Sequence, residues 1–146
     1  MLGFAASNMP AETISADASA EGVAGVALAF DAFCAAHGLP GEVTQAGQVA
    51  LDEILSNVAK AGFAPGATRS IDVSFEVVNG ILELVVSYNG IAFDPLARAD
   101  PDTRATLEDR AVGGLGIYLV KKLMDGVDYE RTGALNRLRM RKRIPA

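Results

Sequence analysis

The stretch Arg110-Ala111-Val112-Gly113-Gly114-Leu115-Gly116-Ile117-Tyr118-Leu119-Val120-Lys121-Lys122-Leu123-Met124-Asp125 decides how this chain reads. Its second half places apolar residues at helical spacing and predicts a helix over Ile117 to Met124. Its first half leaves the start of that helix bare. Gly113 and Gly114 free the backbone to turn, and Gly116 keeps the first turn uncovered. Orphan N–H groups and the positive end of the helix dipole then face any anion placed there. Taken alone, the cluster reads equally as a phosphate cradle or as a plain joint before a helix.

Downstream, two strands are expected at about Val127–Arg131 and Leu135–Ile144, joined by a turn at Thr132-Gly133. In the second, Arg137, Arg139, Arg141 and Arg143 alternate with Leu138, Met140 and Lys142. Such a stripe is expected to cover the solvent face of a sheet opposite acids such as Asp72, Glu76 or Glu130, and on an edge strand it discourages edge-to-edge pairing. Upstream lies a polar stretch from about Ile91 to Ala111, with Asp94-Pro95 and Asp100-Pro101. A connection this long inside a compact domain is usually functional.

Before it, Ile71, Val73, Phe75 and Val77 alternate with Asp72, Ser74 and Glu76, the period of a half-buried strand. Asn79-Gly80 signals a hairpin, and Ile81 to Ser87 forms the returning strand. Two helices come earlier. One spans about Ser19 to Ala36 and is stopped by Gly38 and Pro40; the other runs from about Gly41 to Ala61 on the stripe Val43, Ala46, Ala50, Ile54 and Val58. Residues 1–17 are weakly patterned, with room for a short edge strand around Gly3–Ser7. Helices, hairpin, long loop, helix, hairpin is the order of an α+β fold, a two-layer α/β sandwich with helices on one sheet face, as a single domain over 1–146.

Bulk properties exclude several classes. The 146 residues carry a formal charge of -5, which gives no broad attraction to nucleic acid or to an anionic membrane. One cysteine, Cys34, excludes a disulfide framework and fits a reducing cytoplasm. With one histidine, His37, and one cysteine, neither a zinc site nor a histidine-based triad can be assembled. His37 is expected as an exposed helix-end residue. No run is expected to reach the roughly 18–20 apolar residues of a membrane span, and no basic segment followed by an apolar run marks a signal peptide. The expectation is a cytoplasmic protein.

Two further segments bear on chemistry. Glu53, Asn57 and Lys60 fall at i, i+4 and i+7 of the second helix and put a carboxylate, an amide and an ammonium in one row. Glu53 suits proton acceptance, Asn57 offers an oxygen for a hard cation, and Lys60 suits a phosphate. Alone, the row reads as readily as a solvated helix face. The other segment is Ser87-Tyr88-Asn89-Gly90-Ile91-Ala92-Phe93-Asp94-Pro95. Gly90 permits a tight turn or the close approach of a ligand, or simply marks a strand's exit into a loop.

The three segments, in this order and spacing, resemble the N-box and the two glycine boxes of the GHKL ATPase superfamily with its Bergerat fold. The nearest likeness is to the serine/threonine kinases that act as bacterial anti-sigma regulatory factors. It runs from about Ala50 to Arg141, and Tyr129-Glu130-Arg131 and Gly133 to Leu138 resemble that family's closing hairpin. The resemblance implies a mixed sheet with helices on one face and a flexible ATP lid at Ile91–Val112. It implies ATP and Mg2+ as ligands, with Glu53 as general base and Asn57 holding the magnesium. The nucleotide would be lined by Gly90, Gly113, Gly114 and Gly116, with Lys60, Tyr88, Phe93, Arg110 and Leu115 around it. The implied reaction moves the γ-phosphoryl of ATP to a serine or threonine of a STAS-domain anti-sigma-factor antagonist. A sigma factor is the other implied partner, and homodimers are common in the family.

One position departs from the pattern. The family's adenine-reading aspartate, two residues before the first glycine-box glycine, is here Tyr88. A phenol supplies no carboxylate. Two readings follow: a kinase with altered nucleotide choice, or a nucleotide-impaired module that binds a sigma factor or STAS partner without efficient catalysis.

Overall fold

The computed structural model describes residues 9–92 and 114–145. In chain order it holds β1 (Met9–Asp17), α1 (Ala20–His37), α2 (Gly41–Ala61), β2 (Ser70–Val78), β3 (Ile81–Asn89), α3 (Gly114–Leu123), β4 (Gly126–Thr132) and β5 (Leu135–Arg143). The strands form one sheet in the order β1-β2-β3-β5-β4.

Local chemistry accounts for most boundaries. Ser19 caps α1, its Oγ accepting from the Gly22 amide at 3.1 Å, and Gly38 ends the helix in the left-handed region at φ 64°. The β2–β3 turn is built as the Asn-Gly dipeptide predicts, with φ 52° at Asn79 and 75° at Gly80. The α3 helix opens at Gly114, three residues before the expected start. At its other end Lys142 Nζ donates to the Leu123 carbonyl at 2.8 Å.

Every pairing among the described strands is antiparallel, where the resemblance implies a mixed sheet. The connections explain this. β1 ends at Asp17 beside Ser70, where β2 begins, because the α1–α2 pair returns the chain to the end it left. β3 and β4 run the same way, with α3 the helix described between them, and β5 folds back between them and pairs with both. The arginine-bearing strand is therefore interior, and the sheet edge beyond it is β4. The expected edge strand at residues 3–7 lies outside the described residues; the sheet's other described edge, opposite β4, is β1. The lid segment at 93–113 also lies outside them.

The three helices cover one sheet face. Strand residues of one parity are buried beneath them: Ile71, Val73, Phe75 and Val77 on β2, then Leu82, Leu84, Val86 and Tyr88 on β3. Phe30 and Phe33 of α1 meet Phe75 with ring centroids 5.3 and 5.6 Å apart. By length and composition α1 is apolar enough to cross a membrane, contrary to expectation. Here Val26, Phe30, Phe33 and Cys34 bury its inner face in the core. His37 closes it half-buried, edge-on to Phe33 at 4.6 Å, rather than fully exposed.

Candidate functional site

The α2 helix lies between α1 and α3 and sends its apolar stripe, from Val43 to Val58, into the core. That orientation turns Glu53 toward α3. A Cβ built on Gly116 would collide with the Glu53 carboxylate, so glycine here leaves room for that carboxylate against the first turn of α3. One turn on, Asn57 Nδ2 donates to the Glu53 carbonyl at 2.6 Å. The amide nitrogen is thus turned back onto its own helix, and Oδ1 is the end of the amide left to accept. Glu53 and Asn57 are both half-buried. Together they offer a carboxylate and an amide oxygen within one turn, a donor set that fits a hard divalent cation.

Lys60, the third member of the row, is exposed and sits at the rim of a groove of about 380 Å³ between α1 and α2, with Val23, Ala27, Asp52 and Ser56. So the fold brings Glu53, Asn57 and Gly116 together and leaves Lys60 on the side of α2 that looks toward α1. Gly114 contributes its backbone to the first turn of α3. Phe93, Arg110, Gly113 and the side chain of Leu115 lie outside the described residues. Among the described residues, no three His, Cys, Asp or Glu side chains cluster in a way that holds a metal ion.

Tyr88 ends the buried parity of β3 and is 4% exposed. Its ring lies beside Phe63, centroids 5.5 Å apart, in space bounded by Gly62 and Gly90. A Cβ on either glycine would stand 3.1 Å from a Tyr88 ring carbon, and one on Gly90 would also strike the Gly62 carbonyl. The Tyr88 hydroxyl is buried without a hydrogen-bond partner among the described residues. Burial pushes its pKa up to about 12; Tyr129 acts in the same direction and Arg131 opposes. A neutral, fully packed phenol thus stands at the strand end where a carboxylate was the family expectation. Asn89 points to the opposite, exposed face, as strand alternation requires.

Residues 16–142 match the Histidine kinase-like ATPase domain. The chain belongs to that family. Among curated relatives, it is 30% identical over 87 residues to the serine/threonine-protein kinase BtrW of Bordetella bronchiseptica, covering 60% of this chain and 61% of that one. It is 32% identical over 84 residues to the serine-protein kinase RsbW of Listeria monocytogenes, covering 55% and 54%. With RsbW of Bacillus licheniformis it shares 30% identity over 107 residues, covering 64% and 66%. The matched part therefore spans a little over half to two thirds of these relatives. Among solved structures, the RsbU and RsbW domains of a Mycobacterium tuberculosis protein align with a TM-score of 0.69 at 16% identity, over 94% of this chain and 34% of that one. At that identity the match concerns the fold, and the fold agrees.

For a histidine kinase-like ATPase domain, ATP is the ligand that membership implies. The site is held from behind by a side chain to which the sequence motifs gave no role. Asn136 is 1% exposed, pairs across the sheet with Tyr88, and is the buried polar residue of the described core. Its signal was present in the pattern: 136 shares parity with Leu138 and Met140, so an amide there has to find partners inside.

Proposed function

We propose that this chain is an anti-sigma regulatory factor with ATP-dependent serine/threonine protein kinase activity, transferring the γ-phosphoryl of ATP to a STAS-domain anti-sigma-factor antagonist. The observation that carries this reading is the packing of the Glu53 carboxylate against Gly116, with Asn57 one turn along. That contact puts Glu53 and Asn57 beside the glycine-opened helix, the kind of juxtaposition phosphoryl transfer to a protein hydroxyl requires.

In this reading Glu53 accepts the proton of the attacking serine or threonine hydroxyl, whose oxygen bonds to the γ-phosphorus as the bond to the ADP oxygen breaks. Asn57 supplies an oxygen to the magnesium ion, which when bound neutralises charge on the phosphates. Backbone amides at the opening of α3, with Gly113, Gly114, Leu115 and Gly116, face the phosphate oxygens, and Gly90 lets the strand end approach the ligand closely. Phe93 and Arg110 belong to the surroundings of the same ligand in this reading, and Lys60, on the α1 side of α2, does not. Such chemistry relies on positioning and electrostatics, which suits a site without histidine or cysteine.

A second reading, a nucleotide-impaired module that sequesters a sigma factor or STAS partner, is favoured by one observation: the buried, unpartnered Tyr88 hydroxyl. Loss of a charge-assisted hydrogen bond to a base weakens binding by about 10- to 150-fold. Calorimetry with Mg2+ and ATP on the full chain and on Tyr88→Asp separates the two. Micromolar binding by the wild type defeats the second reading; no binding by the wild type, recovered in Tyr88→Asp, defeats the first. In the first reading Glu53→Ala keeps nucleotide binding and loses phosphoryl transfer to a STAS substrate, and Asn57→Ala loses the magnesium dependence of binding.

A further inference from the structure

We propose that Asn136, oriented by Tyr129 and Arg131, is a positioning residue of the site: its amide clamps the carbonyls of Tyr88, Gly90 and Ile91 and sets where β3 ends. The functional part of this proposal rests on reading Gly90 as part of the nucleotide site.

The clamp follows from register. Tyr88 on β3, Asn136 on β5 and Arg131 on β4 are direct cross-strand partners, one row across the sheet. Asn136 Nδ2 faces the carbonyl oxygens of Tyr88 and Gly90 at 3.4 Å each and of Ile91 at 3.2 Å. Its Oδ1 accepts from Arg131 Nη1 at 2.9 Å and from the Tyr129 hydroxyl. This chemistry allows only one orientation of the amide, since guanidinium only donates and carbonyls only accept. Arg131 Nη1 also donates to the Gly90 carbonyl at 2.9 Å, so it grips the same turn directly.

Two N–H groups shared among three carbonyls at these lengths make individually weak bonds. Their direction is what Tyr129 and Arg131 secure. The Gly90 and Ile91 amides are tied separately, Gly90 to the Ala134 carbonyl at 3.1 Å and Ile91 to the Gly62 carbonyl at 2.8 Å. The strand end is thus held between the α2 terminus and the β4–β5 turn. Leucine or methionine, which occupy the neighbouring inward positions 138 and 140, would pack here with less desolvation. The amide therefore serves its donors. Its consequence for the site is local: Gly90 already stands where a Cβ would strike Gly62, so a displaced carbonyl at Gly90 shifts the floor beneath the ligand.

The experiment uses the full chain and two readouts, site-resolved amide exchange by NMR and calorimetry with Mg2+ and ATP. Asn136→Asp keeps the shape and the acceptor for Arg131 and Tyr129 but sets an oxygen against three carbonyls. Exchange at Gly90 and Ile91 is expected to accelerate about tenfold or more beyond the change in global stability, and ATP affinity to fall about tenfold. Val73→Ala, a core cavity on β2, lowers global stability while leaving both local readouts as in the wild type. Exchange at Gly90 and Ile91 that merely tracks global stability overturns the proposal. Accelerated exchange in a chain whose wild type binds no ATP supports the clamp and defeats the nucleotide reading. If Asn136→Asp does not fold, Arg131→Ala at an exposed position removes one donor from Gly90 and one from Asn136. A roughly threefold acceleration at Gly90 is then expected, and unchanged exchange overturns the clamp.

Discussion

Tyr88 concentrates the tension in this protein. Its ring completes the β3 core stripe and its hydroxyl gains nothing from burial, since no described residue bonds it. An orphan buried hydroxyl carries a desolvation penalty of about 1–3 kcal/mol. Tyr88→Phe is therefore expected to leave stability at pH 7 unchanged or raise it by about 1 kcal/mol, as read from denaturant midpoints. The same substitution has a signature in alkali. A phenol whose folded pKa is raised from 10 to about 12 holds its proton more tightly in the native state. The native state is favoured fully below pH 10, and that advantage is lost as pH rises from 10 to 12. Wild type should lose up to about 2–3 kcal/mol more than Tyr88→Phe over that interval. Parallel curves would show that Tyr88 ionises as freely folded as unfolded.

At the scale of elements, α2 and α3 meet at Gly116, and the prediction there is a split between stability and activity. The colliding atom is the far end of the Glu53 side chain, which can swing aside. Alanine also favours a helix over glycine by about 0.5–1 kcal/mol. Gly116→Ala should accordingly keep or slightly raise the melting temperature while displacing Glu53 and, under the proposed kinase function, reducing phosphoryl transfer by at least about tenfold. A variant that melts early with normal transfer would place the role of Gly116 in packing alone. The hairpin at Asn79-Gly80 and the start of α2 stand where the chain's local chemistry put them. β1 was not legible, because as an edge strand it half-buries, among residues 11–17, only Ile14 and Ala16 and gives no strong alternation. Its register also shifts between Met9 and Glu12, next to Pro10, which has no N–H for a ladder.

Across the whole molecule, the sheet has one oily face and one charged face. Phe75 is the meeting point of the first, fully buried against Phe30 and Phe33. Phe75→Ala should lower stability by about 3–5 kcal/mol with the denaturant slope unchanged. On the other face Glu83 lies 3.6 Å from Arg139 and 3.4 Å from Arg141, and Arg141 reaches Asp128 at 2.5 Å. These side chains keep substantial contact with solvent, so Glu83→Gln should lower stability by less than about 1 kcal/mol, and by less still in high salt. The arginines thus cover the solvent face as expected, and Glu130 stands directly opposite Arg137 as expected, while the acids that meet Arg139 and Arg141 are Glu83 and Asp128. Strand order decided that, by inserting β5 between β3 and β4.

What the sequence alone determined was whatever depends on neighbours along the chain. Periodicity set the helices and strands, Asn79-Gly80 set a turn, and the spacing of Glu53, Asn57 and the glycines carried the family likeness. The tertiary structure decided what depends on which strand lies beside which: the wholly antiparallel pairing, the interior place of the arginine strand, and the row that joins Tyr88, Asn136 and Arg131. The glycine-opened helix became a candidate site in the same way. Local sequence made its first turn bare, but only packing against α2 brought Glu53 to it, because a contact between residues 53 and 116 is a property of the fold and of no segment within it.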